Sequence, residues 1–243
     1  NQTEVITMKK NITSTSLALP QLTATLPRMT LPSHLLVSGG RPPEKKWLQA
    51  AAHGRILWAA DHGLDACQSS GLIPAYCLGD GVSAAQSAWQ WAESLSVPMD
   101  RFPRDKDYTD TQLAIKKAQS EGLASLLLTG VFGGRFDHTY NTLFSCAFAP
   151  LPCVLADDKE ALFYLHGGEK LSVCCQQKPT AVSLIPFTKL CSGVTCRGLH
   201  WELTEATLLQ SQPNATSNRL ADARNAFSVS LGRGTMGVYL CWE

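Results

Sequence analysis

Acidic side chains recur at one kind of place in this 243-residue chain: directly after short apolar runs. Asp61 follows Ile56-Leu-Trp-Ala-Ala60, Asp80 follows Cys77-Leu-Gly79, and Asp105, Asp107 and Asp110 come soon after Arg101-Phe102. Asp137 closes Gly130-Val-Phe-Gly-Gly-Arg-Phe-Asp137. In an open α/β sheet the residues just past the carboxyl ends of the strands share one rim, and ligands bind there. Carboxylates collected on a rim repel one another unless a cation sits among them. Hard oxygen ligands of this kind suit Mg²⁺, which keeps several of its waters, so a magnesium nucleotide is the natural guest. The Gly133-Gly134-Arg135 turn supplies the complementary half, because backbone N–H groups at a helix entrance and a guanidinium both favour phosphate oxygens.

Other phosphate motifs are excluded. No G-x-x-x-x-G-K-[ST] string occurs, and Val37-Ser-Gly-Gly-Arg-Pro-Pro43 lacks the third glycine of a dinucleotide fingerprint. Each acid taken singly could be no more than a helix N-cap. Gly133-Gly134 could be a plain turn, Arg135 a surface charge, Lys106-Asp107 a solvated run, and His138 and Asn141 first-turn residues satisfying backbone groups. None of these readings accounts for acids at successive strand ends together with a Gly-Gly-Arg turn on the same rim.

The elements that must position these groups are legible as two periods. Between residues 35 and 157, short apolar runs at 35–37, 56–60, 75–78, 101–102, 125–129 and 153–156 alternate with amphipathic stretches at 44–52, 64–69, 83–95, 109–121 and 138–148. Ser83 with Gln86 has capping-box spacing, and Gly122 stands where a C-cap glycine would end the helix before it. This alternation predicts a doubly wound, parallel-sheet α/β domain over 31–157. From residue 158 the period becomes two, with strands expected at 161–165, 171–175, 181–185, 194–196, 199–203, 227–231 and 237–242. An all-β sandwich domain over 158–243 follows, its edges covered by the first domain or by a partner chain. Residues 1–30, rich in Thr, Ser and Asn, predict a flexible leader.

Charge and composition narrow the partners. Lys and Arg number 21 against 20 Asp and Glu, which gives no general footprint for nucleic acid or an anionic membrane. No apolar run reaches the ~20 residues needed to span a bilayer, and the N-terminus lacks secretory-signal order, so a cytoplasmic protein is expected. The nine cysteines are odd in number, and Cys67, Cys77, Cys146, Cys153 and Cys241 sit in apolar stretches, as reduced core residues do. Cys174-Cys175 and Cys191 with Cys196 lack zinc-site spacing, and His166 and His200 do not complete one. The sequons at Asn1, Asn11 and Asn214 are read as chance matches.

Two strings are more specific. Gly133-Gly-Arg-Phe-Asp-His138 resembles the G-G-R-F-D-H motif of thiamine pyrophosphokinases, and Lys106-Asp-Tyr-Thr-Asp110 resembles their K-D-x-T-D motif, in the family's order. Ala60-Asp-His-Gly63 is similar to the A-D-G-G segment, Gly198-Leu-His-Trp-Glu-Leu203 to a G-L-x-W-x-L strand, and Thr216-Ser-Asn218 to the C-terminal T-S-N region. The resemblance runs from Leu35 to Trp242 and implies an α/β domain followed by a β-sandwich. It also implies a homodimer with the active site at the subunit interface, and transfer of diphosphate from ATP to the thiamine hydroxyl. It implies Mg²⁺ at Asp61, Asp80 and Asp110, and ATP at Lys106, Thr109, Gly134, Arg135 and His138. Thiamine would lie at Asp107, Asp137, Ser217 and Asn218, with Asp80, Asp110, Arg135 and Asp137 catalytic.

Two departures stand out. Val82 replaces the second acid of the family's G-D-x-D-S, so that metal is held more weakly or Asp105 compensates; Leu220 stands where some members carry an aromatic residue. The alternatives that follow are a member that binds thiamine or a nucleotide without turnover, and one that acts on a different alcohol. Asp137 could orient or deprotonate the alcohol, or contact the aminopyrimidine of thiamine.

Overall fold

Leu126-Leu-Leu-Thr129 is buried at every position, as a strand covered on both faces must be. The structure is a computed structural model describing residues 15–26, 30–81, 84–103, 105 and 107–242. Its first elements are β1 (Thr15–Leu19), β2 (Leu22–Leu26), β3 (His34–Val37), α1 (Lys45–Ala52), β4 (Ile56–Ala60), α2 (Gly63–Ser70), β5 (Tyr76–Gly79), α3 (Gln86–Ser94) and β6 (Met99–Arg101). Then come α4 (Asp110–Ser120), β7 (Leu126–Thr129), α5 (Phe136–Ala147), β8 (Cys153–Ala156), β9 (Glu160–His166), β10 (Glu169–Cys175), β11 (Ala181–Pro186), β12 (Leu190–Arg197), β13 (Leu203–Leu209), β14 (Ala226–Leu231) and β15 (Thr235–Cys241).

Two sheets organise these elements. The larger has nine strands in the order β11-β15-β9-β8-β7-β3-β4-β5-β6. Strands β8 to β6 of that order run parallel, while β9, β15 and β11 continue it antiparallel. The second sheet runs β1-β2-β10-β14-β12-β13. Side-chain alternation divides the core. Leu35 and Val37 of β3 pack with Trp47 and Leu48 of α1, Leu64 of α2, Trp89 of α3 and the inner face of the second sheet. Leu36, between them, packs on the other side with Ala114 and Ile115 of α4 and Cys146 and Ala147 of α5. The parallel strands are therefore covered on both faces.

Three expectations are corrected. Residues 15–26, read as part of a leader, form a hairpin that adds to β10 through β2. Leu17, Leu19, Leu22, Ala24 and Leu26 are its buried alternate positions, a period-two stripe hidden among polar residues. Gln21 pins the turn: its amide donates to the Asp157 carbonyl at 2.6 Å and accepts from Trp47 Nε1 at 2.7 Å. The strand expected at 199–203 is instead a corner in which Leu199 bridges Leu220, and the strand β13 begins at Leu203. The third correction concerns the helix expected from Ser83. Its first residue is Gln86, and its Ala85 cap N–H is satisfied by the Asp65 carboxylate at 3.1 Å, a tertiary contact that no local spacing predicts. Ser83 lies outside the described residues, as do Val82, Lys106 and the sequons at Asn1 and Asn11.

The seven strands after residue 158 do not stay together. β9, β11 and β15 extend the α/β sheet, and the other four join the second sheet with the N-terminal hairpin. The passage at 157–160 is a tight turn between antiparallel neighbours, with the Asp157 N–H donating to the Glu160 carbonyl. None of the nine cysteines is in a disulfide, and seven are buried. No helix among the described residues is long and apolar enough to cross a membrane.

Because Leu22 is fully buried, Leu22→Ala is expected to lower unfolding free energy by about 2–5 kcal/mol, the usual cost of a Leu-to-Ala core cavity. Equilibrium denaturation measures it; a change near zero would mean that the hairpin does not contribute to the core.

Candidate active site

The parallel strands leave β3 in two directions. β4, β5 and β6 follow on one side, and the chain then returns through α4 to place β7 on the other side of β3. Such a reversal opens a crevice at the carboxyl ends of the strands. A cavity of about 230 Å³ lies there, lined by residues just past β3, β4 and β7 and by the first turns of α4 and α5.

Its floor is backbone. Ser38 N–H donates to the Thr129 carbonyl, Gly40 N–H to Gly130 at 2.6 Å and Arg41 N–H to Phe132 at 2.7 Å, so the segment after β3 stays paired with the segment after β7. Gly130 has φ +67°, and a Cβ there would stand 2.3 Å from the Ser38 carbonyl oxygen. Only glycine permits that contact. Ser38-Gly39-Gly40, excluded above as a dinucleotide fingerprint, thus lines the cavity in another way.

Two helix N-termini face the same space. Thr109 caps α4 by a capping box: its Oγ1 accepts from Gln112 N–H at 3.2 Å, and Oε1 of the Gln112 side chain accepts from Thr109 N–H at 3.0 Å. Asp110, the first helical residue, is buried, and its charge is favoured by the positive end of the helix dipole. Thr111 Oγ1 and Ser38 Oγ share a hydrogen bond of 2.5 Å that ties α4 to the end of β3. α5 begins after Arg135, whose side chain makes no cap bond; Asp137 Oδ1 accepts from the His138 N–H at 3.0 Å, and the N–H groups of Phe136 and Asp137 are those the first turn offers to an anion. Thr109 Oγ1 reaches Asn141 Oδ1 at 3.5 Å and Gln112 Nε2 donates to Ser145 Oγ at 3.1 Å, so the two helices are joined side by side.

The expected site residues divide into three groups. Asp61, Thr109, Asp110, Gly134, Arg135 and His138 all line the cavity, together with Ser38, Gly39, Gly40, His62, Thr111 and Thr139, which the motifs had not marked as ligands. Asp80, Asp107 and Asp137 lie outside the lining. Asp80 follows β5 next to Asp61, whose N–H donates to the Leu78 carbonyl and whose Oδ1 would lie 3.1 Å from a Cβ on Gly79. Asp107 is exposed, and Lys106 is outside the described residues. Asp137 is exposed and forms a two-point ion pair with Arg135, with 3.1 Å from Nε to Oδ1 and 2.5 Å from Nη2 to Oδ2. That guanidinium, with help from the His138 N–H, holds the Asp137 carboxyl below the usual carboxylate range.

Ser217 and Asn218 form the third group and do not reach this cavity. They bridge to β11, the far edge of the nine-stranded sheet, where Asn218 pairs with Val182. The Asn218 amide is occupied locally: Oδ1 accepts from Trp201 N–H and Arg219 N–H, and Nδ2 donates to the Trp201 carbonyl. Those bonds fix a corner that leaves the Trp201 ring 58% exposed. Leu220 is not a surface residue but is buried in the core.

Among the described residues no set of three or more His, Cys, Asp or Glu side chains is placed to hold a metal by itself. Mg²⁺ does not require one, since it is usually held by one or two carboxylates plus substrate phosphates and water. Asp61 and Asp110, both in the lining of one cavity, fit a magnesium ion that arrives with its nucleotide.

Comparison with known proteins agrees with this geometry. Residues 47–150 match the family model described as the catalytic domain of thiamin pyrophosphokinase, and residues 171–236 match that of its vitamin B1 binding domain. The thiamine pyrophosphokinase of Bacillus subtilis is 24% identical over 201 residues, spanning 81% of this chain and 94% of the relative. A crystal structure of the Bacillus subtilis thiamine pyrophosphokinase superposes with a TM-score of 0.75 at 19% identity, covering 86% of this chain and 99% of the other. The thiamin pyrophosphokinase of Candida albicans does so with a TM-score of 0.70 at 15% identity, covering 87% and 90%. With both domain models matched in order over more than half of its length, the chain belongs to the thiamin pyrophosphokinase family.

Proposed function

We infer that this protein is a thiamine pyrophosphokinase, transferring the diphosphate of ATP to the hydroxyl of thiamine to give thiamine diphosphate and AMP. The observation that carries the reading is one cavity shared by Asp61, Asp110, Gly134 and Arg135 at a strand-order reversal, in a chain of this family. The 31–157 part would hold the nucleotide and the 158–243 part thiamine, on a doubly wound sheet followed by a sandwich.

In the reaction the thiamine oxygen forms a bond to the β-phosphorus while the bond from that phosphorus to the bridging oxygen of AMP breaks. The hydroxyl proton leaves to a carboxylate or water. Protein groups contribute mainly by positioning and by neutralising charge. Mg²⁺, carried in by ATP and held at Asp61 and Asp110 with Asp80 beside them, would neutralise phosphate charge. The α5 N-terminus with Gly134 and His138 would contact phosphate oxygens, and Lys106 and Thr109 would add to ATP binding. Arg135 would meet the charge that develops in transfer, after exchanging its bond to Asp137 for one to phosphate. Once Arg135 has turned to phosphate, Asp137 is released to orient the alcohol, to accept its proton, or to contact the aminopyrimidine of thiamine.

We further propose a homodimer in which one copy's Asp107 and Asp137 and its mate's Ser217 and Asn218 enclose thiamine. Two observations support it. Ser217 and Asn218 do not line the cavity of their own chain. An aromatic row at helical spacing, Phe136, Tyr140, Phe144 and Phe148, also runs along α5 from the mouth of the site, with Phe136 80% exposed and Tyr140 and Phe148 exposed as well. A cytoplasmic setting accords with nine unpaired cysteines.

Incubation with ATP, Mg²⁺ and thiamine, followed by mass detection, is expected to show thiamine diphosphate and AMP in equal amounts. Binding without product would instead support the non-catalytic alternative, and product only from another alcohol would support the altered-substrate one. Asp110→Asn and Arg135→Ala are each expected to lower kcat more than about tenfold with unchanged thermal unfolding, the scale of losing one charge-stabilising group. Wild-type turnover in either folded variant would remove that residue from the machinery. Tyr140→Glu is expected to shift the protein towards monomer in sedimentation and to reduce turnover as it does so. A variant that stays dimeric and fully active would place the subunit contact elsewhere.

A further inference from the structure

Arg41 stands immediately beyond the cavity floor but is not part of its lining. Its backbone N–H donates to the Phe132 carbonyl at 2.7 Å, which binds it to the turn that carries Gly133, Gly134 and Arg135. Its side chain then passes beneath that turn. A Cβ on Gly133, which has φ +66°, would come within 2.8 Å of Arg41 Nη1 and 2.9 Å of Arg41 Cβ, so the turn rests directly on the arginine. At the far end Nη2 donates to Asp157 Oδ2 at 2.7 Å and Glu160 Oε2 at 2.6 Å.

Both carboxylates are themselves held. Asp157 is fully buried, and its Oδ1 accepts from the N–H groups of Lys159 and Glu160 at 2.8 and 2.7 Å. Glu160 Oε1 accepts from the Tyr239 hydroxyl of β15 at 2.6 Å. Burial raises the Asp157 carboxyl, opposed by the Lys159 N–H and the Arg41 guanidinium. One guanidinium thus joins the glycine turn to the β8–β9 turn and to β15, in charge-assisted bonds of fixed direction.

We propose that Arg41 is a positioning residue for nucleotide binding: clamped by Asp157 and Glu160, it supports the Gly133-Gly134-Arg135 turn from below and so holds the α5 N-terminus at the phosphate site. The proposal rests on the reading of this cavity as the nucleotide site. Nothing in it requires Arg41 to touch substrate. The turn has few means of holding itself, since two of its residues are glycines, and Arg135 and Asp137 are bonded to each other on the exposed side. A bracing side chain on its inner side therefore sets where the α5 N–H groups point, and small misplacements of such groups are costly to binding and rate.

Arg41→Lys keeps the charge and loses the planar fork beneath Gly133. Calorimetry with MgATP on the purified full chain is expected to show affinity weakened by about tenfold, with KM for thiamine within about twofold of wild type. Leu22→Ala, a core destabiliser in the N-terminal hairpin, serves as the stability control and is expected to leave MgATP affinity within about twofold. The proposal is overturned if folded Arg41→Lys binds MgATP as wild type does, or if Leu22→Ala weakens binding equally. Should Arg41→Lys not fold, Glu160→Gln carries the test, with a loss of about threefold expected in the same direction and unchanged affinity overturning it. A wild-type protein that binds MgATP but makes no thiamine diphosphate would overturn the reaction and leave the Arg41 test standing; one that binds no MgATP would overturn both.

Discussion

The close pairing of two backbone segments, 38–41 and 129–134, is the contact on which the site depends. Three N–H groups of the first segment bond to carbonyls of the second, and the Gly130 backbone lies against the Ser38 carbonyl at a distance that excludes any side chain. Strands β3 and β7 are central neighbours in the nine-stranded sheet, so this pairing continues a ladder beyond the point where regular strands end. It brings the end of β3, the glycine turn and the start of α5 together. Without it the acids of the rim and the arginine of the turn would belong to separate loops.

Electrostatics explains why such a site needs its substrate. Asp61 and Asp110 face one cavity, and Asp110 is buried at the start of a helix whose dipole favours its charge. The N-terminus of α5 enters the same lining and favours anions. Negative side chains and anion-binding backbone groups in so small a volume suit a guest that carries both signs, as a magnesium triphosphate does. Arg135 pairs with Asp137 on the exposed side of the turn, in a contact that stabilises little and can be exchanged at low cost.

The C-terminal half does more than cover one face. β9 and β15 lengthen the same sheet that carries the site, and the carboxylates of Asp157, after β8, and Glu160, the first residue of β9, reach back to Arg41. Gln21 of the N-terminal hairpin closes the circuit through the Asp157 carbonyl and Trp47. Residues from three distant parts of the chain thus meet around one buried carboxylate.

Much of this was legible in the residues. Alternation of strand and helix from β3 to β8 follows from apolar runs such as Leu126-Leu-Leu-Thr129, because a doubly covered strand has no polar face to show. The acids after β4 and before α4, and the Gly-Gly-Arg turn, were marked by position alone, since strand ends in such a sheet share a rim. What local pattern could not supply was long-range pairing. The buried stripe of 15–26 is recognisable only once β10 lies beside β2, as Thr and Ser between its leucines make the segment look unstructured. Ser38, Gly39 and Gly40 became site residues through contact with Gly130, about ninety positions away. Arg41 next to Pro42 gives no hint of Asp157 and Glu160. Periodicity encodes which face a residue turns to the core. Which strand lies next to which is decided only when the whole sheet closes around its shared core, and that tertiary choice brings the groups of the site together.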